Sequence, residues 1–285
     1  VVDRSAARPA AALAAAGVHP AKSRGQNFLV QPRIADRIVA AAGIAPSDEV
    51  IEIGPGLGIL SERISRAAMR RFTMVELDRN LAAALASRFE ADPRIRVLCA
   101  DFLTLDLAVI VERPPVKIIG NLPFNAAAAI LRRLCDFRPL VARMVLMFQR
   151  EVGERIRALR GTSERSALSV FTALYWEIED HFRVLAGSFH PRPKIDSEVI
   201  IFRPRAAMLL ERSEERAVLE IVRAAFSAPR KSIRNPLARR FGLPPAAVAA
   251  ALESIGLNPA ARAAEFEVEQ FVAITRALVA CGVKP

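Results

Sequence analysis

Val50-Ile51-Glu52-Ile53-Gly54-Pro55-Gly56-Leu57-Gly58 is the stretch from which the fold can be read. A short apolar run stops at a glycine-rich turn, and a helical pattern follows through Ile64. Strands buried on both faces lose the apolar–polar alternation of half-exposed ones, so this run reads as an inner strand of a parallel sheet. The same unit recurs outward from it. Upstream, Ile34, Ile38, Val39 and Ala42 repeat at helical spacing from Pro32 until Gly43 ends the helix. Downstream, Thr73 to Val75 form a second strand ending at Glu76, with a helix from about Asn80 to Phe89. Ile95 to Cys99 form a third strand, ending at Asp101. Val116 to Ile119 form a fourth, ending at Asn121-Leu122-Pro123-Phe124 and followed by an Ala-rich helix to about Leu134. Met144 to Phe148 form a fifth, with a helix from Glu151. Strands alternating with helices make an α/β fold, whose ligands bind beyond the carboxyl ends of the strands. Gly54, Glu76, Asp101 and Asn121 each stand just past such an end, and that shared position is the main organisational signal.

The remainder of the chain sets the domain plan. Ser197 to Phe202 read as a further strand after the Pro-rich stretch Phe189 to Pro193, and from about Ala206 the pattern is helical throughout. The expected parts are a mobile basic segment over 1–24, an α/β domain over 25–205 and a small all-α domain over 206–285. A length of 285 residues suits about two domains and needs no disulfide or metal staple. An excess of 41 Lys and Arg over 30 Asp and Glu, a charge of +11, suggests a polyanionic partner. Aromatic residues at 6% are too few for a broad single-strand stacking platform. Cys99, Cys135 and Cys281 form no CxxC pair, and His19, His181 and His190 have no metal spacing. Buried reduced thiols, a cytoplasmic protein and no metal are therefore expected. No stretch is apolar for long enough to span a membrane, and Ala10 to Gly17 are too weakly apolar for a signal peptide. The sequence begins at Val1 rather than Met, so a start further upstream is expected.

The chemistry lies in the strand ends. Glycines after a strand let the backbone turn tightly and approach a ligand closely. The spacing here is GxGxG, with Ile59 where a dinucleotide fingerprint would have its third glycine. Glu76, 22 residues beyond Gly54, can accept from both hydroxyls of a ribose. Asp101 can accept from an adenine amine while Phe102 covers the ring. An adenosyl pocket of this kind suits NAD or S-adenosylmethionine, and Ile59 tilts it to the latter. Asn121-Leu122-Pro123-Phe124 adds the reaction. An adenine amine is a poor nucleophile, because its lone pair is delocalised into the ring. An Asn carbonyl and a backbone carbonyl held by the rigid Pro can both accept from it and free that lone pair for a methyl sulfonium. Such catalysis rests on positioning and electrostatics. Phe124 would stack on a base that is unpaired or extruded. From Arg223 to Arg240 there are six positive residues and no acidic one. Arg230 and Lys231 are spaced from Arg234 to share a helical face and bind phosphates.

The sequence resembles the small-subunit rRNA adenine N6,N6-dimethyltransferase family (KsgA type). The resemblance rests on Gly25-Gln26-Asn27-Phe28-Leu29, Glu52 to Gly58, Glu76-Leu77-Asp78, Asn121 to Phe124, Phe189 to Ser197 and Arg230 to Asn235, in that order. It implies a Rossmann-like class I S-adenosylmethionine-dependent methyltransferase core with a terminal antiparallel strand, and a small helical RNA-contacting domain. The implied activity is dimethylation of two adjacent adenosines near the 3′ end of small-subunit rRNA, by a monomer acting on the pre-30S particle. Gln26, Asn27, Leu29, Gly54, Gly56, Glu76, Leu77, Asp101, Phe102 and Asn121 would hold the cofactor. Asn121, Leu122, Pro123 and Phe124 would serve the reaction. Phe189 would be the second face of the base stack, beside Arg230, Lys231 and Arg234 on the RNA. Three positions depart from the family pattern. Phe124 and Arg165 replace Tyr, and Pro236 stands where Ser or Thr is usual, so the basic helix is expected to end there. Two other readings share the features: a large-subunit rRNA adenine methyltransferase of antibiotic-resistance type, and an RNA-binding assembly or transcription factor without catalysis.

Overall fold

The computed structural model describes residues 27–283. Gln26 and the basic segment 1–24 lie outside these residues. Nine strands are described: β1 (Phe28–Leu29), β2 (Glu49–Ile53), β3 (Arg71–Glu76), β4 (Ile95–Cys99), β5 (Val116–Asn121), β6 (Val141–Gln149), β7 (Trp176–Val184), β8 (Phe189–His190) and β9 (Ser197–Pro204). The helices interleaved with them are α1 (Pro32–Ala42), α2 (Ser61–Ser65), α3 (Arg79–Phe89), α4 (Leu107–Ile110), α5 (Ala127–Asp136), α6 (Arg150–Ile156) and α7 (Ala167–Tyr175). Four more follow: α8 (Glu215–Ala225), α9 (Arg234–Phe241), α10 (Pro245–Glu253) and α11 (Val268–Ala280).

Seven strands form one sheet in the order β4-β3-β2-β5-β6-β9-β7. From β4 to β6 neighbouring strands run parallel, and β9 runs antiparallel to β6. The five strands read from the sequence are these five parallel ones. Their register decides where chemistry can occur, because Ile53 pairs with both Val75 and Gly120, and Glu76 pairs with Cys99. The residues after these positions therefore emerge together at one edge of the sheet. All five residues of β2 are buried, Glu49 and Glu52 among them, as befits an inner strand covered on both faces. The core of this unit joins Ile38, Val50, Phe72, Met74, Ile119 and Val145, all at 1% exposure or less.

The chain divides into two compact units, 1–153 with 178–204, and 154–177 with 205–285. The division near Arg205 is thus crossed once more, because Glu154–Glu177 packs with the later helices. Arg165 belongs to this second unit. It is 9% exposed and donates from Nη2 to the Phe266 carbonyl at 2.8 Å and from Nη1 to the Ala158 carbonyl at 3.3 Å. The guanidinium ties two loops together there.

Two expectations about α9 change. Pro236 does not end the basic helix: it is the third residue of α9, which runs on to Phe241. Proline is tolerated in a first turn, where its missing N–H would have no helical partner. Arg230 and Lys231 do not share a helix with Arg234, since α9 begins at Arg234. Between them the segment turns, with Lys231 N–H donating to the Ala228 carbonyl at 2.9 Å, and then pairs with another loop, Ser232 bridging to Arg262 and Ile233 N–H donating to the Ala261 carbonyl at 2.8 Å. Among the cysteines only Cys135 is buried, whereas Cys99 and Cys281 are exposed, and none of the three is in a disulfide. Among the described residues no helix is long and apolar enough to cross a membrane.

Candidate functional site

At the shared strand edge the first unit opens a cavity of about 230 Å³, lined by residues of the β2, β3, β4 and β5 ends and of β1. That is several times the volume of a water molecule and suits a nucleoside-sized ligand better than an ion. The floor is the glycine turn. Gly54, Gly56 and Gly58 have φ of 66°, 57° and 80°, a left-handed geometry that only glycine adopts without strain. Gly56 also has no room for a side chain, because a Cβ there would stand 2.9 Å from Cδ1 of Phe28. Gly56→Ala is therefore expected to lower stability by about 1–3 kcal/mol through its backbone strain. It should also weaken ligand binding, and thermal melting with equilibrium dialysis reads both.

Glu76 closes one wall. Its Oε2 accepts from Gly56 N–H at 3.0 Å and its Oε1 from Asp78 N–H at 2.9 Å, so one carboxylate braces two loops. Burial pushes the Glu76 carboxyl above its ordinary value, opposed by the N–H donors of Asp78 and Gly56. Asp78 in turn caps α3 by accepting from Asn80 and Leu81 N–H groups. Leu77, between them, is 62% exposed although it lines the cavity. An exposed leucine beside a buried carboxylate offers an apolar cover for a planar group. Asp101, half-buried, accepts from Leu103 N–H at 2.9 Å, and Phe102 beneath is 5% exposed.

Beneath the turn Glu52 is 1% exposed, and Ser61 Oγ donates to its Oε2 at 2.6 Å. Burial raises its carboxyl from 4.5 to about 8, with the Ser61 bond working against the rise and the nearby Glu76 charge adding to it.

Asn121 ends β5 on the opposite wall. Its Nδ2 donates to the Asn27 carbonyl at 3.1 Å, which turns the amide so that Oδ1 is left as acceptor. Leu122 is buried and its N–H donates to the Met147 carbonyl at 3.3 Å, while the Pro123 carbonyl accepts from Ala126 N–H at 3.0 Å. Of the two backbone carbonyls after Asn121, Leu122's is thus the one left to accept. Phe124 lines the cavity half-buried.

Asn27, Leu29, Gly54, Gly56, Glu76, Leu77, Asp101, Phe102 and Asn121 to Phe124 are all brought to this cavity. Phe189 is not among its walls. It is 4% exposed and packs in the main core, because β8 pairs it with Leu29. Arg230, Lys231, Arg234, Arg239 and Arg240 lie on the second unit, where Glu220 pairs with Arg240 at 2.7 Å and with Arg223 at 3.8 Å. Phe28 and Glu52 were missed as site residues. The signal for Phe28 was its place between Asn27 and Leu29; for Glu52 it was a carboxylate enclosed by Ile51 and Ile53 in the apolar run.

The family model for ribosomal RNA adenine dimethylase matches residues 19–279. The chain belongs to the ribosomal RNA adenine dimethylase family. Within this family it is 38% identical over 252 residues to ribosomal RNA small subunit methyltransferase A of Syntrophotalea carbinolica, covering 88% of this chain and 94% of that one. The protein of the same name from Geobacter metallireducens is 35% identical, covering 94% and 98%. Among solved structures, the 23S rRNA methyltransferase ErmE is 29% identical with a TM-score of 0.66, covering 89% of this chain and all of that one. A dimethyladenosine transferase from Plasmodium falciparum shares the fold, with a TM-score of 0.77 at 23% identity over 90% and 98% of the two chains. The family's α/β core is thus a Rossmann-like class I methyltransferase core followed by helices.

Proposed function

We propose that this chain methylates the N6 amines of two adjacent adenosines near the 3′ end of small-subunit rRNA, taking the methyl groups from S-adenosylmethionine. The observation that carries this is Asn121, held at a strand end with its amide turned by the Asn27 carbonyl so that Oδ1 accepts. The cavity fits the cofactor on three observations: a glycine floor with no room for a Cβ at Gly56, a buried Glu76 carboxylate, and Leu77 exposed beside it. When bound, the cofactor supplies an electrophilic methyl. The chain's own residues supply the rest. Oδ1 of Asn121 and the Leu122 carbonyl accept from the adenine amine, drawing its lone pair out of conjugation, and Phe124 stacks on the ring. No strong base is required, because the nitrogen becomes a cationic ammonium as the methyl arrives and then loses a proton to water.

The small-subunit substrate is supported by the shared name of the curated relatives and by their 35–38% identity, against 29% for the 23S enzyme. The immature small subunit, the cytoplasm and a monomeric state are parts of this reading; the charge of +11 supports a polyanionic partner, and cysteines outside any disulfide support the cytoplasm. Incubation with labelled S-adenosylmethionine and immature small or large subunits tests it. Label at adjacent small-subunit adenosines is expected. Label only in the large subunit overturns the substrate, and RNA binding without label overturns the activity.

The RNA backbone would be held by Arg230, Lys231, Arg234 and Arg239, whose charge Glu220 leaves uncompensated while it engages Arg223 and Arg240. Reversing Arg230, Lys231 and Arg239 should weaken RNA binding at 50 mM salt about tenfold or more and flatten its salt dependence by roughly the number of phosphates lost. An unchanged slope in filter binding would count against this surface.

A further inference from the structure

The short segment β1 touches three parts of the site at once. Its backbone pairs with β8, Phe28 against His190 and Leu29 against Phe189. The Phe28 ring, 7% exposed, lies on the face of Gly56 where a side chain would stand, and clusters with Leu81 and Leu57 apart from the main core. One residue earlier, the Asn27 carbonyl receives the Asn121 amide. Gly56 itself is fixed by its N–H bond to Glu76. An unbroken line of contacts therefore runs from the wall carboxylate Glu76, through Gly56 and Phe28, to Asn27 and the amide of Asn121.

We infer that Phe28 is a positioning residue for the methyl transfer: by seating on Gly56 it fixes the Asn27 carbonyl, and so sets which way the Asn121 amide faces. The inference rests on the functional reading above for its kinetic consequence, but the amide orientation is a property of the protein alone. An amide has two polar ends of nearly equal size, and β5 by itself does not choose between them. If Asn27 moves, Nδ2 loses its acceptor and the amide can rotate, presenting a donor where the reaction needs an acceptor. A two-residue strand pairing is too short to hold this segment alone. The large aromatic contact on a glycine without a Cβ supplies what the short ladder lacks.

The test compares Phe28→Ala with the conservative Phe28→Leu, and uses Phe28→Val should alanine fail to fold by circular dichroism. The first readout needs no substrate: exchange of the Asn121 side-chain amide protons, assigned by the cross-peak lost in Asn121→Ala. These protons should exchange at least about tenfold faster in the truncated variant than in wild type, and close to the wild-type rate in Phe28→Leu. The second readout separates affinity from rate, because Phe28 also lines the cavity. At saturating S-adenosylmethionine and RNA the truncated variant should transfer methyl at least about tenfold more slowly in a single turnover, with Phe28→Leu restoring most of the rate. Unchanged amide exchange overturns the positioning role, as does a loss that saturating cofactor abolishes. Absence of methyl transfer by the wild type overturns the functional reading instead, and leaves the exchange measurement to decide the role of Phe28.

Discussion

Asn121→Ala should lower methyl transfer at saturating cofactor and RNA by about 10²–10³-fold or more while the fold persists, as expected when a preorganised polar group aimed at the reacting centre is removed. The size follows from what the side chain is asked to do. Among the described residues the carboxylates lining the cavity, Glu76, Asp78 and Asp101, each accept from backbone N–H groups, so the acceptors at the end of β5 carry the activation. Removing Oδ1 leaves the Leu122 carbonyl alone to draw the amine out of conjugation. The fold is expected to survive, because Asn121 is the last residue of β5 and its strand partners are joined through the backbone. Asn121→Asp separates the two functions of the amide. It keeps an acceptor toward the amine but loses the donor to the Asn27 carbonyl, so its rate should fall between wild type and alanine. Cofactor affinity should change by less than about tenfold in both, since the glycine turn and Glu76 are untouched. Single-turnover assays with isothermal titration check this, and an alanine variant with wild-type turnover would remove Asn121 from the mechanism.

The cavity was legible because its parts lie in order along the chain, each within two residues of the end of a strand that the apolar pattern reveals. Gly54, Glu76, Asp101 and Asn121 needed only the parallel register to come together. What was not legible depends on partners far away in sequence. The β1–β8 pair is two residues long and joins positions about 160 apart, so no local pattern marks it. Its consequence is that Phe189 packs inward against the main core rather than lining the cavity. The assignment of Glu154–Glu177 to the second unit likewise follows from packing, with Arg165 reaching the Phe266 carbonyl and Gly161 N–H donating to the Ala264 carbonyl at 2.8 Å. In the basic stretch the spacing suggested one helical face, but the backbone of Ser232 and Ile233 pairs with Arg262 and Ala261, which leaves a turn followed by α9. Glu220, three residues before the acid-free stretch, then pairs with two of its six cations and offsets one charge.

Glu52→Gln should convert a pH-dependent stability into a flatter one, with the variant the more stable protein above pH 8. Glu52 is buried under the glycine turn and its carboxyl is pushed from 4.5 to about 8, chiefly because ionisation there would leave a charge without water. The folded state therefore binds this proton more tightly than the unfolded chain does. Stability from this group is complete below about pH 4.5, falls as pH rises, and is lost once the folded carboxyl ionises above about 8. The difference corresponds to about 5 kcal/mol across that window, an upper figure for a group that can relax when charged. Glutamine matches the protonated acid in size and can still accept from Ser61 Oγ, which now donates to Glu52 at 2.6 Å. At pH 5 the two proteins should agree within about 1 kcal/mol, since each then carries a neutral side chain. Some slope should remain in the variant, because Glu76 is also raised by burial and titrates in the same direction. Methyl transfer near pH 7 should be nearly unchanged, as the wild-type carboxyl is then about nine-tenths protonated. Urea denaturation from pH 5 to pH 9 measures the effect. Parallel curves for the two proteins would show that Glu52 is ionised in the folded state, and that the cavity floor carries a charge which Ser61 alone offsets.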